Sequence, residues 1–131
     1  MHSHTLYWMY RPFGCGVIVG NMEKDKAPSL HMMDPSGTCY EFYHCAMGKG
    51  KQVANTEMDK IDLKNITCAD ALYTMAKILH KSHEESKEKK YELEMTWICP
   101  QSGFTHQHVP KELLKEVSAR AQKDIENEMI A

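Results

Sequence analysis

The strongest constraint on this chain is one run, Asp34 to Lys60, in which a turn, a strand, a corner and a helix follow without a linker. Asp34-Pro35-Ser36-Gly37 supplies what a type I turn asks for. Asp accepts a local backbone hydrogen bond, Pro presets φ at the second position, and Gly closes the turn. Tyr40 and Phe42 then alternate with Glu41 and Tyr43, a short strand pattern. Gly48-Lys49-Gly50-Lys51 breaks the strand. Beyond it Val53, Ala54, Met58 and Ile61 recur at helical spacing, which predicts a helix from about Lys51 to Asp62.

The flanking sequence extends the pattern in both directions. Arg11 to Gly20, rich in Val, Ile and Cys, reads as a buried strand, and Gly20 to Ser29 as a loop. Leu30 to Met33 and Cys39 to Cys45 are expected to pair as a hairpin around the turn. Thr67-x-x-Asp70 can satisfy free amides at a helix start. The stripe Cys68, Leu72, Met75, Ala76 and Leu79 marks that helix as packed on one side. Lys81 to Lys90 is a charged, solvated run. Tyr91, Leu93, Met95, Trp97 and Cys99 alternate with Glu92, Glu94 and Thr96, the clearest half-buried strand, with Trp97 on the apolar side. Pro100 to Gly103 reads as a turn and Phe104 to Val109 as a return strand. Pro110 suits a helix start, and Leu113, Leu114, Val117, Ala121 and Ile125 form a third amphipathic stripe. Helices grouped with antiparallel strands predict an α+β fold.

Composition removes several function classes. The 131 residues make one domain at most, and a net charge of −2 offers no electrostatic case for nucleic acid or an anionic membrane. The longest uncharged stretches, Met1 to Tyr10 and Pro12 to Met22, are split by Arg11 and dotted with Gly, Pro and His, so no membrane span is expected. No secretory leader is expected either, since Met1 to Thr5 lacks a basic start and an apolar core. The five cysteines, Cys15, Cys39, Cys45, Cys68 and Cys99, contain no C-x-x-C pair and read as thiols in a reducing compartment. Asn65-Ile66-Thr67 matches a glycosylation acceptor, but Thr67 is better used as a helix cap.

Candidate chemistry thins out residue by residue. His80 and His83, three apart on a helix, share a face, but no carboxylate or thiolate completes a tetrahedral metal set. His106 with His108, and His2 with His4, would place two rings on one side of an extended segment and meet the same objection. Gly14-Cys15-Gly16 and Gly20 have the wrong spacing for a phosphate loop and lie inside the expected strand. Gly48-Lys49-Gly50-Lys51 lacks the Ser or Thr of a Walker loop, and a tight strand-to-helix corner is the simpler reading. No Cys/His nucleophile signature is present. The sequence therefore assigns no catalytic, cofactor-binding or metal residue.

In order and wording the chain resembles the α-type subunits of the proteasome core particle, most closely the type-three α subunit. The resemblance rests on the Asp34 to Gly37 turn, Ala46-Met47-Gly48-Lys49, and Thr56-Glu57 to Lys60. It extends through Thr5-Leu6-Tyr7, Arg11-Pro12-Phe13-Gly14-Cys15, Cys45, Thr67-Cys68, Tyr91 to Glu94 with Trp97, and Val109-Pro110-Lys111. It implies the second half of a four-layer αββα sandwich shared with N-terminal-nucleophile hydrolases, and a single partial domain over residues 1–131. The helix, gating tail and Y-D-x-x-x-x-x-F-S-P-x-G-R signature that begin such subunits have no counterpart here, so gating and docking of regulatory particles are not carried over. The implied role is a non-catalytic structural subunit, or truncated form, of the α ring. Its partners would be neighbouring α and β-ring subunits, and its setting the cytoplasm and nucleus. The alternative is a free-standing interaction module derived from the fold. Active β-type subunits use an N-terminal threonine whose own amine is the base. Thr5 follows no glycine that would mark a processing site, and in the family it belongs to a helix end. A half fold would also strip cover from the apolar faces of Arg11 to Gly20 and Tyr91 to Cys99.

Overall fold

The computed structural model describes residues 1–86 and 91–130 and divides into two compact units, Met1–Cys45 and Ala46–Ala131. In the first, a short helix α1 (His2–Leu6) precedes strands β1 (Val17–Asn21), β2 (Ser29–Met33) and β3 (Cys39–Glu41). These form one antiparallel sheet in the order β1-β2-β3, with Val19 opposite His31 and Met32 opposite Tyr40. The β2–β3 hairpin forms around the expected turn, but its second strand ends at Glu41 instead of running on to Cys45. Gly37 N–H donates to the Asp34 carbonyl at 3.0 Å, while the Asp34 carboxylate accepts from the amides of Ser36 and Thr38. The Ser36 hydroxyl, and then these amides, hold the Asp34 carboxyl below its usual range. Gly37 has φ +86°, and a Cβ there would lie 2.8 Å from the His2 backbone. Both conformation and space demand glycine.

This first unit has no buried residue at all. The reading of Arg11 to Gly20 as a buried strand is corrected on both counts. Pairing begins only at Val17, so Gly14-Cys15-Gly16 sit in a loop before the strand, and Ile18 and Val19 are 42% and 45% exposed. The cause is topological. β1 is an edge strand bonded only to β2, and three short strands have too little surface to bury one another.

The second unit holds the core. It comprises α2 (Lys51–Met58), α3 (Cys68–Ser86), β4 (Thr96–Trp97), a 3-10 turn (Pro100–Ser102), β5 (Gln107–His108) and α4 (Lys111–Ile130). The Thr67 hydroxyl accepts from the Asp70 amide at 3.2 Å and donates to its carboxylate at 2.6 Å, so Thr67 caps α3 as expected. Ala76 and Ala121 are fully buried among Leu72, Met95 and Val109. Two side chains this small let α3 and α4 approach closely. Polar ties flank the contact: Tyr73 Oη donates to Asp124 at 2.5 Å, Lys77 pairs with Glu128, and the Arg120 guanidinium lies 4.7 Å over the Tyr73 ring.

The expected one-sided stripe on α3 is also corrected. Leu79 is 41% exposed and Cys68 is exposed, whereas Ile78 is buried with Ala54 and Met58 of α2. The helix packs on two sides, and Met75 touches both clusters. The Tyr91 to Cys99 alternation survives as a burial pattern, with Met95 and Cys99 buried and Glu92, Glu94 and Thr96 exposed. The cover of this face is partial: Tyr91 is exposed and Leu93 is only half-buried. The ladder is only two residues long, pairing Thr96 with His108 and Trp97 with Gln107. Phe104 explains the shortened return strand: its φ of +59° is not extended backbone, so pairing cannot start at that residue. Trp97 is half-buried where a largely buried ring is expected. Of the charged run Lys81 to Lys90, residues 81–86 continue α3 and residues 87–90 lie outside the described residues.

Candidate functional site

A cluster of polar and aromatic side chains lies around the second half of α3. His80 Nε2 is 2.9 Å from the Ser118 hydroxyl of α4, and its Nδ1 is hydrogen-bonded to the Tyr91 hydroxyl. The His83 ring stacks on Tyr91 with centroids 4.0 Å apart. Both nitrogens of His80 are therefore engaged with protein groups, which argues against the metal-pair reading of His80 and His83. Among the described residues, no group of three or more His, Cys, Asp or Glu side chains could hold a metal ion. A hydroxyl, an imidazole and an orienting phenol in series also look like a nucleophile and its base. Ser118 lies inside α4, where backbone amides are spent on the helix ladder. Nothing there supplies the paired N–H donors that an acyl-transfer oxyanion needs. The series works as a tie between α3, α4 and the segment at Tyr91.

A cavity of about 440 Å³ adjoins this tie, lined by Lys49, Lys51, Ser82, His83, Tyr91 and Leu93 among others. Its wall begins at Gly50, which takes φ +41° to turn the chain into α2. Ser82 Oγ donates to the Gly50 carbonyl at 3.2 Å, and a Cβ on Gly50 would meet that oxygen at 1.9 Å. The glycine corner is thus borne out, with a constraint from α3 that the sequence did not disclose. Gly50→Ala should destabilise the chain by about 1–3 kcal/mol through the strained backbone alone. Ser82→Ala should recover only part, since Ser82 Cβ stands 3.2 Å from the new methyl. Urea denaturation of the single and double variants reads both effects. Below the corner, Lys60 and then Lys81 hold the Glu57 carboxyl under its usual range, at 2.7 and 3.2 Å. A lowered folded pKa means this contribution is complete above the ordinary carboxylate range and is lost as pH falls through it.

The remaining candidates resolve locally. His106 and His108 are exposed, the latter in β5. His2 and His4 lie on α1, correcting the extended reading; residues two apart on a helix face about 200° from one another, not to one side. His4 packs against Tyr10 and Phe13, at 5.1 and 4.7 Å between centroids. Thr5 is inside α1, its hydroxyl donating to the His2 carbonyl at 2.7 Å.

Comparison with known proteins decides the family. Residues 1–98 match the family model described as "Proteasome subunit". The chain belongs to the proteasome subunit family. It is 48% identical over 126 residues to proteasome subunit alpha type-3 of Arabidopsis thaliana, covering 96% of this chain and 50% of that relative. It is 39% identical to proteasome subunit alpha type-3 of Dictyostelium discoideum over the same shares. The probable proteasome subunit alpha type-7 of Saccharomyces cerevisiae is 36% identical, with 95% of this chain and 44% of that protein covered. The chain thus spans about half the length of these proteasome relatives. Mixed helices and small antiparallel sheets agree with the expected α+β class.

Proposed function

We propose that this chain is a non-catalytic structural component, or truncated form, of the proteasome α ring, where it supports ubiquitin-dependent protein degradation. The observation that carries the reading is the similarity to alpha type-3 subunits across 96% of the chain. On this reading the chain is a single partial domain, the second half of the αββα sandwich, and its partners are neighbouring α subunits and the β ring, in cytoplasm and nucleus. The absence of any buried residue in Met1–Cys45 supports it, because that sheet presents apolar surface suited to other polypeptide.

The test is sedimentation of the tagged chain expressed in cells. Migration with particles of proteasome size supports the structural role, whereas a chain confined to small fractions supports the free-standing module instead. The purified chain should show no turnover of fluorogenic peptides. Turnover abolished by Thr5→Ala would overturn the non-catalytic reading.

A further inference from the structure

The hydrogen-bond pattern of the Met1–Cys45 sheet leaves one edge open in a defined way. The Leu30 carbonyl accepts from the Phe42 amide at 2.8 Å, so Leu30 turns its backbone groups toward β3. Backbone polar groups alternate sides along a strand, so Ser29, His31 and Met33 face β1. Their partners Asn21, Val19 and Val17 face back. Ile18 and Gly20 are left with N–H and C=O pointing outward, and no backbone hydrogen bond among the described residues reaches either from that side. The edge is also undefended. Val17–Asn21 holds no charge and no proline, the devices that blunt an edge strand. β3, at the other edge, is three residues long and carries Glu41.

We propose that β1 pairs antiparallel with β1 of a second copy of this chain, joining the two sheets edge to edge. The occupant is a second copy because β1 is complementary to itself. A two-fold contact uses the same strand on both sides, and the register that engages all five residues is centred on Val19. Val19 then stands opposite Val19 of the second copy, Val17 opposite Asn21, and Ile18 opposite Gly20. Each Ile18–Gly20 pair exchanges N–H to C=O bonds in both directions, which satisfies the outward groups of both strands. Opposed residues share a face, and Gly20 has no side chain, so the Ile18 side chain finds room over it. The central pair sets one β-branched side chain against another with no charge to repel. Ile18 and Val19, 42% and 45% exposed, both lose water-facing apolar surface. The contact is small, so the free chain passes between single and paired copies as concentration changes. This property belongs to the free chain and goes beyond its role in the α ring.

The experiment follows the mass of the purified full chain by light scattering from ~1 µM to ~1 mM, the span between firm and weak association. The expected result is a rise from one copy to two that stops at two. Val19→Lys and Val19→Glu should each stay single, because each sets like charges directly opposite across the two-fold. Mixing the two variants should restore pairing, with one Lys facing one Glu. Val19 is 45% exposed, so neither change should unfold the chain, and matching circular dichroism spectra check this. The concentration series on the unsubstituted chain stands whatever the variants do. A chain that stays single over the whole range overturns the proposal, whether or not it enters larger particles in cells. So does a dimer that Val19→Lys leaves intact, or a mixture of the two variants that stays single. Growth beyond two copies overturns it as well, since it marks an open series such as β1 pairing with β3.

Discussion

Native-state hydrogen exchange should divide this chain near residue 45. Amides of β1, β2 and β3 are hydrogen-bonded, but no side chain of that unit is buried to oppose opening. They should exchange at nearly the rate of an unstructured peptide. Amides of α3 around Leu72 to Ile78, and of α4 from Val117 to Ile125, are backed by the two core clusters. If the second unit carries even the low end of ordinary stability, ~5 kcal/mol, these amides should be protected roughly 10³-fold or more. Uniform protection across both units would mean that the sheet gains cover in solution, and self-association measured by light scattering would identify its source.

Ile125→Ala should be the costliest simple truncation in the last helix. Ile125 is 4% exposed, so removing its side chain forfeits burial and leaves a hole. The expected loss is about 2–5 kcal/mol, a large part of the stability a domain of this kind possesses. Ile130, on the same helix, is 85% exposed, and Ile130→Ala should stay within about 0.5 kcal/mol. The pair controls for helix propensity, since both replace the same side chain. Equal losses, measured as midpoint shifts in urea, would refute the burial assignment. Trp97→Ala should fall below the 3–5 kcal/mol of a fully buried aromatic, because its ring is only half covered.

What was legible in the sequence was mostly what neighbours along the chain decide. The Asp34 to Gly37 turn, the Thr67 cap, the glycine corner and the α4 stripe each depend on residues within a few positions, and each appears where the spacing puts it. The family, too, could be read from short motifs in order. Features set by distant residues were hidden. Helical periodicity showed that α3 has an apolar face, but not that α2 and α4 would claim two different sides of it. Strand alternation gave Met95 and Cys99 as inward residues but not the exposure of Tyr91, and the backbone at Phe104 cut the ladder short. The His80 tie spans 38 residues to Ser118, and no local spacing announces it.

The unburied sheet of Met1–Cys45 bears on how genetic variants in this chain are to be judged. A substitution such as Ile18→Asp removes no fully buried side chain, because Ile18 is already 42% exposed. A melting curve of the purified protein would therefore score it as milder than a core substitution. If the same surface is covered in a larger particle, the damage would be felt only there, as a loss of incorporation. For this unit, thermal tolerance is a poor proxy for fitness.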